Sequence, residues 1–267
     1  MSALTLSFGE AVSWTQRLIA LALLLQTVEW LQVRRLCADD GVWRWRVLES
    51  EQRELPLVMR LLLSPFMPYR GLLTLLWLRL GLVAMLALGW GWAAPLLLFS
   101  QLALCVRFRG TFNGGSDYMS VVVLLSLSGA WALARWPALA KACLAYACAQ
   151  LVLSYFIAGV VKLQNADWRS GKALATFVGS DRYGTPAWLV RALSAKSRPA
   201  LASWAVIAFE CGFPLALASP AVATTTLTLG ALFHLGNAAV FGLNRFLFAW
   251  LAAYPSLVYF SAALSRS

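Results

Sequence analysis

Charge is what this sequence has least of. Only 12% of its 267 residues are Asp, Glu, Lys or Arg, about half the share of a soluble domain. That scarcity excludes a soluble globular domain, a disordered chain and a charged coiled coil. Histidine is rarer still, with His234 alone. A single imidazole excludes most His-based metal centres and restricts triad chemistry. The five cysteines (Cys37, Cys105, Cys143, Cys148 and Cys211) form no CxxC pair and no Cys/His cluster. Neither a metal site nor a disulfide framework is therefore expected. GK[ST], GxSxG and HExxH are absent, which leaves out the Walker loop, the hydrolase elbow and the zincin helix. No short apolar run followed by a small-residue cleavage site opens the chain, so no removed signal peptide is expected.

Apolar residues are abundant instead. They make up 61% of the chain, including 13 Trp and 14 Phe, and the mean hydropathy is +0.71. This predicts an all-α polytopic transmembrane bundle of about seven or eight spans, with short amphipathic helices. A single domain is expected over 1–267, with no soluble domain. Spans are expected at 18–33, 71–89, 92–106, 118–134, 138–161, 200–218, 222–243 and 246–263. Residues 34–70 read as a surface segment with a surface helix at 54–63, and 163–198 as the longest polar loop. Gly89-Trp90-Gly91-Trp92 reads as a tight interfacial turn.

The net charge of +11 is not a nucleic-acid signature here. Lys and Arg are scattered in short loops, as insertion with positive loops inside requires. With eight spans, 17 of the 22 basic residues fall on the side of the long loops. That predicts a multi-pass protein of the cell (inner or plasma) membrane, with both termini outside and the long loops in the cytoplasm.

Ionisable groups at membrane depth cost a few kcal/mol each on insertion scales, so the few present carry information. Lys162 ends the fifth expected span, with Tyr155 seven residues before it on one helical face and Gly159 between them. It reads either as a desolvated lysine able to act as a base or as one snorkelling to the interface. His234 shares a stripe with Asn237 and Phe241. The pair either lines a cavity as proton donor and acceptor or makes an interhelical hydrogen bond. Glu210 reads as a protonated buried acid, or as the partner of Arg79 or Lys162. Glu29 reads as structural. The loop Asn113-Gly114-Gly115-Ser116-Asp117 is either an anion-binding nest or a turn with a helix cap.

The stretch YFIAGVVKLQNADWRSGKAL, residues 155–174, resembles the membrane region of the vitamin K-dependent γ-carboxylase, or HTTM (horizontally transferred transmembrane), family. The positions that carry the likeness are Tyr155, Phe156, Ala158, Gly159, Lys162, Leu163, Asp167, Trp168 and Gly171. A second block, FHLGNAAVFGLNRFLFAWLAAYP at 233–255, is similar to the family's Phe-His-x-x-Asn-x-x-x-Phe pattern through Phe233, His234, Asn237 and Phe241. The polar loop at Asn113 falls where the family has an Asn-containing membrane-edge loop. Val161 stands where the family has another lysine, and the spacer to Asp-Trp is one residue longer.

The resemblance implies quinol-linked chemistry in a water-poor membrane pocket. Lys162 would be the base, with His234 and Asn237 as polar partners. Asn113, Asp117, Tyr155, Asp167, Trp168 and Glu210 would be lesser pocket candidates. Its cofactors would be a reduced, vitamin K-like quinone, with O2 and CO2 if the chemistry is a carboxylation. Its partners would be the bilayer and a secreted peptide substrate or a soluble accessory protein, in a bacterial cell. The competing readings are a non-enzymatic scaffold, an immunity or export partner, and a small transporter.

Overall fold

Every expected span is helical. The computed structural model describes residues 4–52, 55–108, 114–180, 184–193 and 198–266. Among them there are no strands. In chain order the helices are α1 (Phe8–Gln32), α2 (Trp45–Leu48), α3 (Leu57–Leu63), α4 (Tyr69–Ala87), α5 (Ala93–Arg107), α6 (Gly115–Ala132) and α7 (Pro137–Gln164). They continue as α8 (Ala166–Arg169), α9 (Lys172–Val178), α10 (Ala187–Leu193), α11 (Arg198–Gly212), α12 (Pro220–Phe241) and α13 (Asn244–Leu264).

Among the described residues, five helical segments are long and apolar enough to cross a bilayer: Phe8–Gln32, Tyr69–Ala87, Pro137–Gln164, Arg198–Leu217 and Asn244–Leu264. The protein is thus a multi-pass membrane protein, while seven or eight spans exceeds what these helices establish. The remaining three expected spans fall short for visible reasons. With 15 residues, α5 is about 22 Å long, against ~30 Å of hydrocarbon. Serines and Asp117 dilute α6, and a threonine-rich start with His234 and Asn237 dilutes α12.

Two of the boundaries that differ from expectation have a visible cause. The first span starts ten residues early, because Ser7 and Glu10 form a reciprocal N-terminal cap. The Ser7 N–H donates to Glu10 Oε2 at 2.8 Å, and the Glu10 N–H to Ser7 Oγ at 3.3 Å, satisfying donors that would otherwise be orphaned. The surface helix starts at Leu57 rather than 54, with Pro56 as its N-cap.

The chain divides into two compact units. Residues 12–146 and 248–252 form one of them. Its core stacks Trp30 on Phe108, with centroids 3.9 Å apart, among Leu63, Met67, Leu72, Leu76 and Leu104. Within it α5 packs against α4 and α6. The turn at 89–92 forms as expected: Gly89 takes φ +92°, open to glycine.

The other unit comprises residues 1–11, 147–247 and 253–267. Here α8 and α9 pack on α11, and α10 packs on α9. Gly171 turns the chain from α8 into α9 at φ +78°. A Cβ there would also run into the backbone of Pro199 and Ala200. The segment read as a long polar loop therefore contains three short helices held against α11.

Candidate functional site

Helices α7 to α13 of the second unit carry the site. On α7, Tyr155, Gly159 and Lys162 recur at helical spacing along one face. Gly159 lets α11 approach: a Cβ there would lie 2.6 Å from the Cys211 backbone nitrogen and 2.9 Å from the Glu210 carbonyl carbon. One turn further, that approach brings Lys162 opposite Glu210. Nζ donates to Oε2 at 2.7 Å and to Oε1 at 2.9 Å. Glu210 is buried, while the Lys162 side chain keeps 17% of its surface exposed. The amine also sits 5.2 Å from the ring centroid of Trp168. Of the two partners considered for Glu210, the structure selects Lys162.

Next to this ion pair lies a cavity of about 520 Å³, within the usual range for small-molecule sites. Lys162 and Asn237 are its polar side chains. Trp168, Phe177, Phe233 and Phe241 supply rings, and leucines, valines and Gly236 complete the wall. Leu174, Phe177 and Val178 come from α9, and Leu189 and Leu193 from α10.

His234 faces a different set of groups. It is 4% exposed, and its Nε2 lies 2.7 Å from the Tyr155 hydroxyl. That hydroxyl lies 2.9 Å from the hydroxyl of Tyr254 on α13. Tyr155 stacks on Phe213 with ring centroids 3.8 Å apart, and Phe209 meets it edge-on. Gly230 makes room for the two hydroxyls: a Cβ there would fall 2.5 Å from that of Tyr254 and 3.2 Å from that of Tyr155.

The structure thus gathers Lys162, Asn237 and Trp168 around one cavity, adds Glu210 through the ion pair, and joins Tyr155 to His234. Asp167 is exposed, lying 3.5 Å from Lys172. Its backbone N–H donates to the Asn165 side chain, which caps α8. Asn113 lies outside the described residues.

Asp117 belongs to the other unit and to a different network. Its Oδ2 accepts from the Gly114 N–H at 3.1 Å, capping α6. Its Oδ1 accepts from Gln26 at 2.6 Å and Gln101 at 3.3 Å. Both glutamine carbonyls accept in turn from Arg79 Nη2, at 2.6 and 2.5 Å. Thr27 and Ser100 take further Arg79 donors. Arg79 is 0% exposed, so its charge reaches Asp117 through two side-chain amides. Asp117 therefore serves as the acidic end of this network and as a helix cap.

Sequence reasoning missed Tyr254 and the α9–α10 wall. The apolar runs Leu174-Ala-Thr-Phe-Val and Trp188-Leu-Val within a charged segment were the available signal for the wall. Tyr254 stands in an apolar span and gave none.

Among the described residues no group of three or more His, Cys, Asp or Glu is placed to hold a metal. Comparison with family models matches residues 117–262 to the HTTM domain. No curated protein and no solved structure matched the chain.

Proposed function

The chain belongs to the HTTM domain family, and we propose on that footing that it is a membrane enzyme performing quinol-linked modification or maturation of a secreted peptide. Lys162 is its base. The observation that carries this reading is the amine of Lys162 at the wall of an apolar cavity, paired with the buried carboxylate of Glu210.

The residues present fit a reduced quinone. A cavity of about 520 Å³ with aromatic and aliphatic walls takes a fused ring and part of an isoprenoid tail. Bound there, such a quinol supplies an acidic ring hydroxyl and, with O2, a strong base generated away from water. Asn237 offers both a donor and an acceptor to orient the ring oxygen. The ion pair gives one proton two resting places. With the proton on Nζ the pair is ammonium and carboxylate. With the proton on Glu210, Nζ has a free lone pair and can take a proton from an acidic hydroxyl. The apolar wall from α9 and α10 reduces the water that would quench a stronger base. The plasma membrane of a bacterium is the setting this reading assigns, with CO2 as co-substrate where the product is a carboxylated residue.

The test uses the full chain in lipid nanodiscs with a reduced naphthoquinone and O2. Quinol consumption is followed by absorbance, and a co-expressed secreted peptide by intact mass. The reading requires quinol loss above a protein-free control, abolished in Lys162→Ala with the protein level unchanged. Equal turnover by wild type and Lys162→Ala overturns it. Absence of turnover with intact cellular function in Lys162→Ala leaves the non-enzymatic scaffold or export partner.

A further inference from the structure

The hydrogen bonds around His234 have a direction. Three buried groups, Tyr254, Tyr155 and His234, share two contacts of 2.9 and 2.7 Å. Tyr254 is 7% exposed and Tyr155 is 3% exposed. A buried hydroxyl proton left without an acceptor is costly. If His234 donated from Nε2 to Tyr155, and Tyr155 then to Tyr254, the Tyr254 proton would need an acceptor beyond Tyr155. Among the described residues the Tyr254 hydroxyl meets that of Tyr155. In the reverse direction both phenol protons are used and the chain ends on the strongest acceptor of the three, an imidazole nitrogen, so one group, the Nδ1 N–H, is left to be satisfied outside the chain, against two, the Tyr254 proton and the Nδ1 lone pair, in the other direction.

The geometry points to a one-way chain in which Tyr254 donates to Tyr155, Tyr155 donates to His234 Nε2, and His234 is held as the neutral tautomer protonated at Nδ1. Tyr254 is then a positioning residue that acts on His234 through Tyr155. Gly230 is the vacancy that admits both hydroxyls, since any Cβ there would displace one of them.

This goes beyond the cavity reading and limits it. The Nε2 lone pair is already engaged, so His234 does not pass a proton to the cavity through that atom. Proton exchange with a ligand rests with Lys162 and Glu210, while His234 ties α7, α12 and α13 together at a set ring angle.

The single histidine makes the test direct. Full-length protein is labelled with 15N-histidine, purified without a polyhistidine tag and placed in nanodiscs, and its two imidazole nitrogens are observed by NMR near neutral pH. The expected spectrum has a pyridine-type signal for Nε2 and a pyrrole-type signal for Nδ1. Tyr155→Phe should move the Nε2 signal towards that of a nitrogen without a donor, or average the two tautomers. Tyr254→Phe should move it less, in the same direction. A pyrrole-type Nε2 in the wild type overturns the proposal, as does a Tyr155→Phe spectrum identical to the wild type. The wild-type spectrum alone decides the direction, so a variant that fails to fold does not remove the test. No quinol is present, so failure here is distinct from failure of the Lys162 reading.

Discussion

Lys162 and Glu210 meet through both carboxylate oxygens, at 2.7 and 2.9 Å, one turn beyond the point where Gly159 admits α11. A pair held this way is asymmetric in its energetics. Removing one member leaves a charge with no partner in an apolar setting, at a cost of about 3–5 kcal/mol. Removing both is close to neutral where apolar side chains fill the space. Glu210→Leu should therefore lower stability by about 3 kcal/mol, since Lys162 keeps some solvent contact. Lys162→Met with Glu210→Leu should regain most of that loss while staying inactive towards quinol. Reversible unfolding in mixed micelles measures both. A Glu210→Leu single variant as stable as the wild type would show that the pair contributes nothing to the fold.

Arg79 is not replaceable by lysine. Its guanidinium donates to Thr27, Ser100, Gln26 and Gln101 from three nitrogens at fixed angles. An ammonium has three donors on one atom and cannot span those acceptors. Arg79→Lys keeps the charge yet strands at least one glutamine, and should lose about 1–3 kcal/mol. Asp117→Asn should cost a similar amount, because it removes the negative end of the network and weakens the cap on Gly114. Because the two variants damage one network, the double variant should lose less than the sum of the singles. Strict additivity in unfolding measurements would mean that the glutamines do not couple them.

How much of the fold and site is legible in sequence follows from which forces leave a local trace. Apolar runs located eight helical segments, five of them long and apolar enough to cross a bilayer among the described residues, because burial in lipid needs long apolar stretches. The stripe of Tyr155, Gly159 and Lys162 was legible from helical spacing alone. Its partner on α11 was not, because Glu210 offered Arg79 and Lys162 equally and sequence does not say which helices touch. The start of α1 was written in Ser7-Phe-Gly-Glu10, a cap signal hidden by the polar residues Thr15, Gln16 and Arg17 that follow. The α9–α10 wall was masked by composition: charges around it made a cavity wall resemble a solvated loop. Tyr254 left no trace, since a tyrosine in an apolar span reads as packing until its hydroxyl is located.

Three glycines should respond to alanine in opposite ways. At Gly159 the new methyl would press on the α11 backbone, which cannot yield as a side chain can. Gly159→Ala should lose about 1–3 kcal/mol by overpacking and loosen the Lys162–Glu210 contact. Gly230→Ala meets two hydroxyls instead, and should lose a comparable amount while disturbing His234. Gly81, within α4, faces open space where a methyl would point, with no neighbouring atom within 4 Å. Gly81→Ala should therefore gain about 0.5–1 kcal/mol from helix propensity. Thermal unfolding of the three variants in one detergent checks the order, and a destabilised Gly81→Ala alongside a neutral Gly159→Ala would reverse it.

Cys37 offers a check on the other unit that needs no activity assay. It lies outside the membrane-spanning helices, 1% exposed, in the core that holds Trp30 and Phe108. Burial pushes its thiol above the ordinary value, and the nearby Arg107 charge offsets that only in part. The thiolate is the reactive form, so Cys37 should resist a maleimide near neutral pH while the protein is folded. The sign of the pH effect follows. A thiol whose proton is held more tightly when folded contributes stability below its unfolded pKa, and that contribution fades as pH rises through and beyond it. Labelling of a variant that keeps Cys37 as its one cysteine should therefore stay slow at pH 7 and accelerate on raising the pH or adding denaturant. Fast labelling at pH 7 in the folded protein would place Cys37 at the surface and break the core described around it.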